Sequence, residues 1–221
     1  MAVDFRDEAP AILKDYLIYK QTIKNMSKKT VDEYFIDLRT FFRFLKVMRG
    51  LVPDGTEFDE IKIDDVGLDL IKTVNLELAY DYMNFLYRDR NNKRASRARK
   101  CSSLKGFFKY ITNNKHLLDT NPVEQLESPK NKKALPKYLT LEQSIELLNA
   151  VDGNNKQRDY CILTLFLNCG LRVSEMAGLN YNDIHSDGTM RVVGKGNKER
   201  IVYLLSLIHI SEPTRQEAIS Y

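Results

Sequence analysis

Between Ser27 and Leu45 the apolar residues Val31, Tyr34, Phe35, Leu38, Phe41, Phe42 and Leu45 recur at steps of three and four. That spacing lays them along one stripe of an α-helix, so the chain must find other apolar faces to cover it. Three further segments supply them. Residues 9–23 carry Ile12, Leu13, Tyr16 and Leu17 on one side; 76–87 carry Leu78, Ala79, Tyr82, Phe85 and Leu86; 96–112 carry Leu104, Phe107, Phe108 and Ile111. A shorter helix is expected over 64–72. Ser27 suits the N-cap of the second helix, whereas Gly50, Pro53 and Gly55, then Asn113-Asn114 and Asn121-Pro122, punctuate the pattern.

The second part of the chain reads differently. Residues 127–138 hold Ser128, Pro129, Asn131 and a lysine cluster but few apolar side chains, which marks a domain boundary. Thr140 then caps a helix containing Leu141, Ile145, Leu147 and Leu148. Residues 156–169 form a strongly apolar helix that Gly170 ends, and 172–177 supply another turn or two. Residues 189–193 and 200–204 are β-rich runs around Gly194-Lys195-Gly196-Asn197-Lys198-Glu199, the pattern of a β-hairpin. The expected fold is mainly α with a small β-hairpin: helices over 1–126, a basic linker over 127–138, and an α+β segment over 139–204.

Composition excludes several classes. The 221 residues contain no apolar run of membrane-spanning length, so no membrane partner is expected. The start, Met1-Ala2-Val3-Asp4-Phe5-Arg6-Asp7-Glu8, is too acidic and polar for a secretory signal. Three cysteines, Cys101, Cys161 and Cys169, form neither a CxxC pair nor a disulfide framework, which fits a cytoplasmic setting. No His/Cys/Asp/Glu cluster has metal-ligand spacing, and neither metal nor cofactor is expected.

Thirty-four basic against 30 acidic residues give a net charge of only +4, so distribution decides what the charge means. Residues 88–115 carry Arg88, Arg90, Lys93, Arg94, Arg97, Arg99, Lys100, Lys105, Lys109 and Lys115 against the single acid Asp89. Lys130, Lys132, Lys133 and Lys137 make a second cluster; Arg191, Lys195, Lys198 and Arg200 make a third. Such runs are commonly solvated helix faces. Here the first also belongs to an amphipathic helix, which can pack one side and offer cations to phosphates on the other.

Two short segments carry the chemistry. In Asn168-Cys169-Gly170-Leu171-Arg172-Val173-Ser174-Glu175 one helix stops and another begins, so Arg172 stands near a helix start, where an anion is favoured. Its guanidinium is always charged and grips phosphate with two prongs, and Glu175 lies close enough to orient it. An Arg–Glu pair bracing a helix junction is the other reading. In Val193-Gly194-Lys195-Gly196-Asn197-Lys198-Glu199-Arg200, glycines on both sides of Lys195 allow a close backbone approach. A soluble turn tip has the same composition. The GxxxxGK[ST] spacing of a phosphate-binding P-loop is absent.

Taken together, Gly170-Leu171-Arg172-Val173-Ser174-Glu175, Leu179-Asn180, Asp183-Ile184 and Gly194-Lys195-Gly196-Asn197-Lys198-Glu199-Arg200 resemble the tyrosine recombinases of the phage integrase family, and most closely its bacterial Xer members. The resemblance extends over roughly 10–204. It implies a helical, SAM-like core-binding domain followed by part of an α+β catalytic domain. By it, Arg172 holds a non-bridging oxygen of the scissile phosphate and Lys195 protonates the leaving 5′-oxygen. A fixed guanidinium stabilises charge developing on phosphoryl oxygens, and Arg191, Lys198 and Arg200 around Lys195 are expected to ease its proton loss. The DNA-contacting cations are expected to be Arg94, Arg97, Arg99, Lys100, Lys105, Lys198 and Arg200. The partner implied is double-stranded DNA at a recombination site, bound by a homo- or hetero-tetramer of the intact protein.

The family pattern also requires His-x-x-Arg and a nucleophilic tyrosine beyond the hairpin. His209 is followed by Ile210, Ser211 and Glu212, and Tyr221 lacks the motif's surroundings, so no nucleophile is assigned. Residues 205–221 include a stretch that resembles a translated transposon-type sequencing adaptor and are expected to be foreign to the fold. The expectation is a chain that binds DNA without cleaving it. A naturally short, non-catalytic DNA-binding protein is the alternative.

Overall fold

The computed structural model describes residues 8–129, 135–194 and 196–204. The chain divides into two compact units, Met1–Ala134 and Leu135–Tyr221.

The first unit is helical: α1 (Ala11–Thr22), α2 (Lys28–Met48), α3 (Leu68–Lys72), α4 (Leu76–Arg88) and α5 (Arg94–Asn113). Side chains set the helix starts. Ser27 Oγ accepts the Thr30 N–H at 3.3 Å, and Asn75 Oδ1 accepts the Leu78 N–H at 2.9 Å. The apolar stripe of α2 faces α5. The Phe42 and Phe107 rings meet edge to face at 5.5 Å, and Phe41 meets Phe108 at 6.1 Å. Tyr82 of α4 and Tyr16 of α1 close the cluster, 5.1 Å from Phe41 and 5.5 Å from Phe107. Edge-to-face pairs of this kind add about 0.5–1.5 kcal/mol each beyond their buried area. Gly106 sits in the middle of α5, where glycine is unfavourable, because a Cβ there would lie 2.7 Å from the Tyr16 hydroxyl.

A polar cluster around Asp37 interrupts this core. The Asp37 carboxylate on α2 is buried and receives Lys100 Nζ at 3.1 Å, Ser103 Oγ at 2.8 Å and Arg99 Nη2 at 3.0 Å, all from α5. Lys100 is therefore a core residue instead of the DNA contact expected from the sequence; burial depresses its pKa, and Asp37 opposes that shift. After α5 the chain stays on the same core, with Val123 and Leu126 buried. Lys105 Nζ donates to the carbonyls of Glu124 and Leu126 at 3.0 and 2.9 Å, so it anchors the chain leaving the unit.

The second unit contains α6 (Leu141–Asn149), α7 (Lys156–Cys169), α8 (Val173–Ala177), a 3₁₀ turn (Tyr181–Asp183) and the strands β1 (Thr189–Val193) and β2 (Glu199–Tyr203). Thr140 and Gln143 cap α6 reciprocally, each side chain accepting the other's backbone N–H at 3.3 and 3.0 Å. The strands pair antiparallel in the register Met190↔Val202, Val192↔Arg200, Val193↔Glu199. Met190 and Val192 point inward with Leu171 to form a small core. The mainly helical fold with one small sheet agrees with the sequence reading.

Candidate phosphate-gripping site

The site grows from the end of α7. Gly170 adopts the left-handed conformation, φ 58°, and its N–H donates to the Phe166 carbonyl at 3.1 Å. Arg172, two residues on, is extended. Leu171 turns into the small core, and Arg172 therefore turns out, with its side chain 70% exposed. The chain then coils into α8, which brings Glu175 back beneath Arg172.

Glu175 is the hub. Its side chain is 2% exposed, and both oxygens are occupied. Oε1 receives Arg172 Nη1 at 2.8 Å and Arg200 Nη1 at 2.9 Å; Oε2 receives the Arg172 backbone N–H at 2.9 Å and Arg200 Nη2 at 2.9 Å. The Arg200 fork first, and the Arg172 N–H second, hold the Glu175 carboxyl far below its ordinary range. The hairpin closes on the same group. Gly194 N–H donates to the Lys198 carbonyl at 2.7 Å, and a Cβ at Gly194 would stand 3.0 Å from Glu175 Oε1. Glycine at this position lets the hairpin turn run against the carboxylate. Lys195 lies outside the described residues; Gly194, immediately before it, is placed against Glu175.

A second carboxylate braces the hairpin from outside. Asp183 is 6% exposed and accepts Arg191 Nε and Nη2 at 3.1 and 2.8 Å and the Asn180 N–H at 2.9 Å. Arg191, then Asn180, depress its pKa.

Two parts of the sequence argument change accordingly. The start of α8 already holds an anion, Glu175 itself, so a bound phosphate would meet the outer edge of Arg172 and not the helix end. The cations expected to ease proton loss from Lys195 are largely neutralised: Arg191 faces Asp183 and also Glu199, at 3.5 Å, and Arg200 faces Glu175. Lys198 remains an exposed neighbour.

The N-terminal cations differ in exposure and in what they touch. Lys100 is buried on Asp37, and Lys105 spends its ammonium on two carbonyls. Arg97 stacks over the Tyr87 ring at 4.6 Å. Arg99 touches Asp37 but is 45% exposed, and Arg94 is exposed. Asp37, the bracing role of Asp183 and the inward role of Arg200 were not anticipated from the sequence. For Asp37 a signal existed: an acid beside Phe41 on the apolar stripe needs a buried partner. Among the described residues, no cluster of His, Cys, Asp and Glu could hold a metal ion.

Family comparison places these features. The profile of the phage integrase family matches residues 137–214, and that of the phage integrase N-terminal SAM-like domain matches residues 13–115. The chain belongs to the phage integrase family. It is similar to the tyrosine recombinase XerC of Caldanaerobacter subterraneus subsp. tengcongensis, with 49% identity over 195 residues, 88% of this chain and 55% of that protein. It is also similar to the XerC proteins of Syntrophus aciditrophicus, at 34% over 86% of this chain and 58% of the relative, and Chlamydia muridarum, at 34% over 85% and 60%. The chain thus spans a little over half the length of these relatives. Its fold is like that of a lambda integrase dimer bound to a COC′ core site, with a TM-score of 0.56 at 19% identity over 87% of this chain and 47% of that one. The segment around Glu175 falls within the matched family region.

The two depressed carboxylates predict how the second unit responds to acid. Glu175 ordinarily titrates near 4.5 and Asp183 near 3.8, and both are lowered in the fold. Between the lowered and ordinary values the unfolded chain binds more protons, so stability rises with pH there. The contribution is complete above about pH 5 and drains away as the pH falls through the folded values. Hairpin melting followed by amide NMR from about pH 3 to 6 checks this. The double variant Glu175→Gln, Asp183→Asn should flatten the acid limb; an unchanged slope would assign it to other groups.

Proposed function

We propose that this chain is the duplex-binding, phosphate-gripping portion of a bacterial, cytoplasmic site-specific tyrosine recombinase. One observation carries the reading. A single buried carboxylate, Glu175, receives the arginine at the start of α8 and lies against the glycine that precedes Lys195. Helix start and hairpin therefore converge, as a site acting on one phosphodiester requires. Arg172 spends one terminal nitrogen on Glu175 and turns an exposed edge outward, suited to a non-bridging phosphate oxygen. Lys195 would protonate the leaving 5′-oxygen. In the intact protein a tyrosine oxygen attacks the phosphorus and gives up its proton to solvent, the P–O5′ bond breaks, the 5′-oxygen leaves with the lysine proton, and the new 3′-phosphotyrosyl bond conserves the energy for religation. A tetramer on DNA would exchange the strands.

We assign binding but not cleavage to the present chain, because His209 does not open a His-x-x-Arg motif. Fluorescence anisotropy with a duplex of about 30 base pairs should show log affinity falling with log salt, with a slope near −0.9 per phosphate neutralised. A flat response would overturn DNA binding. On a nicked duplex that traps covalent intermediates, no detergent-resistant complex should form. Its appearance would overturn the binding-only assignment.

A further inference from the structure

Arg200 is committed to a carboxylate within the fold. Both of its terminal nitrogens lie on Glu175, each at 2.9 Å, in a two-pronged pairing, while Arg172 reaches the same carboxylate with one side-chain nitrogen. The arrangement is a competition. A carboxylate offers one good face for a guanidinium fork, and Arg200 occupies it. Without that fork, Glu175 keeps the Arg172 backbone N–H on Oε2 but has acceptor capacity left for a second side-chain nitrogen of Arg172, which withdraws the edge that points outward. Arg200 also comes from β2 whereas Glu175 comes from α8, so the same fork ties the hairpin to the helix bearing Arg172.

We infer that Arg200 is a positioning residue: by holding both oxygens of Glu175 it confines Arg172 to a single carboxylate contact and keeps the rest of its guanidinium presented to a DNA phosphate. The inference rests on Arg172 being a phosphate-gripping group, and the test separates the two ideas.

Arg200→Lys keeps the charge and removes the fork. Binding of the full chain to a duplex of about 30 base pairs at about 0.1 M salt should weaken roughly eightfold, the loss of one phosphate contact. The same substitution made on Arg172→Ala should change nothing further, because its effect passes through Arg172. Full affinity in Arg200→Lys, or an equal loss with and without Arg172, would overturn the positioning role. If Arg172→Ala alone leaves affinity and salt slope unchanged, the phosphate-gripping reading falls first. A spectroscopic readout covers the DNA-free protein. Capture of Arg172 by Glu175 in Arg200→Lys should slow exchange of the Arg172 Nη protons and rotation of its guanidinium while hairpin amide signals persist; unaltered exchange and rotation count against the inference. Should that variant not fold, the cycle runs with Glu175→Gln, whose loss of affinity should likewise vanish on Arg172→Ala. An additive loss would overturn the inference.

Discussion

Asp37→Ala should destabilise the N-terminal unit by about 3–5 kcal/mol, the usual cost of removing one partner from a buried ion pair. The Asp37 side chain is 1% exposed and that of Lys100 9%. Without the carboxylate, the Lys100 ammonium keeps only Thr40 Oγ1 at 3.2 Å, and Ser103 loses the acceptor it holds at 2.8 Å. Burial already disfavours the charged lysine, so the variant combines an uncompensated cation with an orphaned hydroxyl. A loss this large takes up much of the 5–15 kcal/mol that a small domain has. Urea denaturation monitored by far-ultraviolet circular dichroism measures it. A loss below about 1 kcal/mol would mean that water screens the pair. Asp37→Leu with Lys100→Met and Ser103→Ala should recover most of the stability, because an apolar cluster avoids both desolvation penalties and leaves no orphaned hydroxyl.

That cluster also shows where sequence reading stops. The stripe from Val31 to Leu45 identifies α2, because burial of one helix face imposes its own period, and Val31, Phe35, Leu38, Phe41, Phe42 and Leu45 are all buried. The hairpin was legible for the same kind of reason: β-rich runs flank a glycine-bearing turn, and Met190 and Val192 alternate inward. Periodicity says nothing about partners. Lys100 looked like one more cation on a basic helix, and only the packing of α2 against α5 supplies the acid that holds it. The partner of Arg200 was hidden in the same way, since its carboxylate lies 25 positions earlier, on another element. The helix α7 shows a different limit. Its run from Tyr160 to Leu167 specifies a helix, yet none of its residues is fully buried among the described residues. Local pattern fixes the element, whereas burial depends on what the rest of the chain brings to it.

The basic helix divides along the same line, and this separates stability from DNA affinity. At 100° per residue, Arg94, Ala98, Ser102, Lys105 and Lys109 lie along one flank of α5, with Arg99 at its edge. Lys100 and Arg97 belong to the inner side with Leu104, Phe107 and Ile111. Within the outer flank, Lys105 is committed to the carbonyls of Glu124 and Leu126. Arg94, Arg99 and Lys109 are exposed, although Arg99 also pairs with Asp37 and Glu33, and we propose these three as the cations of this helix that meet phosphates. Replacing all three by alanine should lower duplex affinity roughly 10²–10³-fold at about 0.1 M salt and reduce the salt slope by about 2.7, for three lost contacts. The loss should be the same for any duplex sequence, because phosphates carry no base identity. Lys105→Ala should leave the salt slope unchanged and lower stability, since its two carbonyls lose their donor. The two titrations run side by side decide the matter. A steep fall in slope with Lys105→Ala, or none with the triple variant, would place the DNA on another face of the unit.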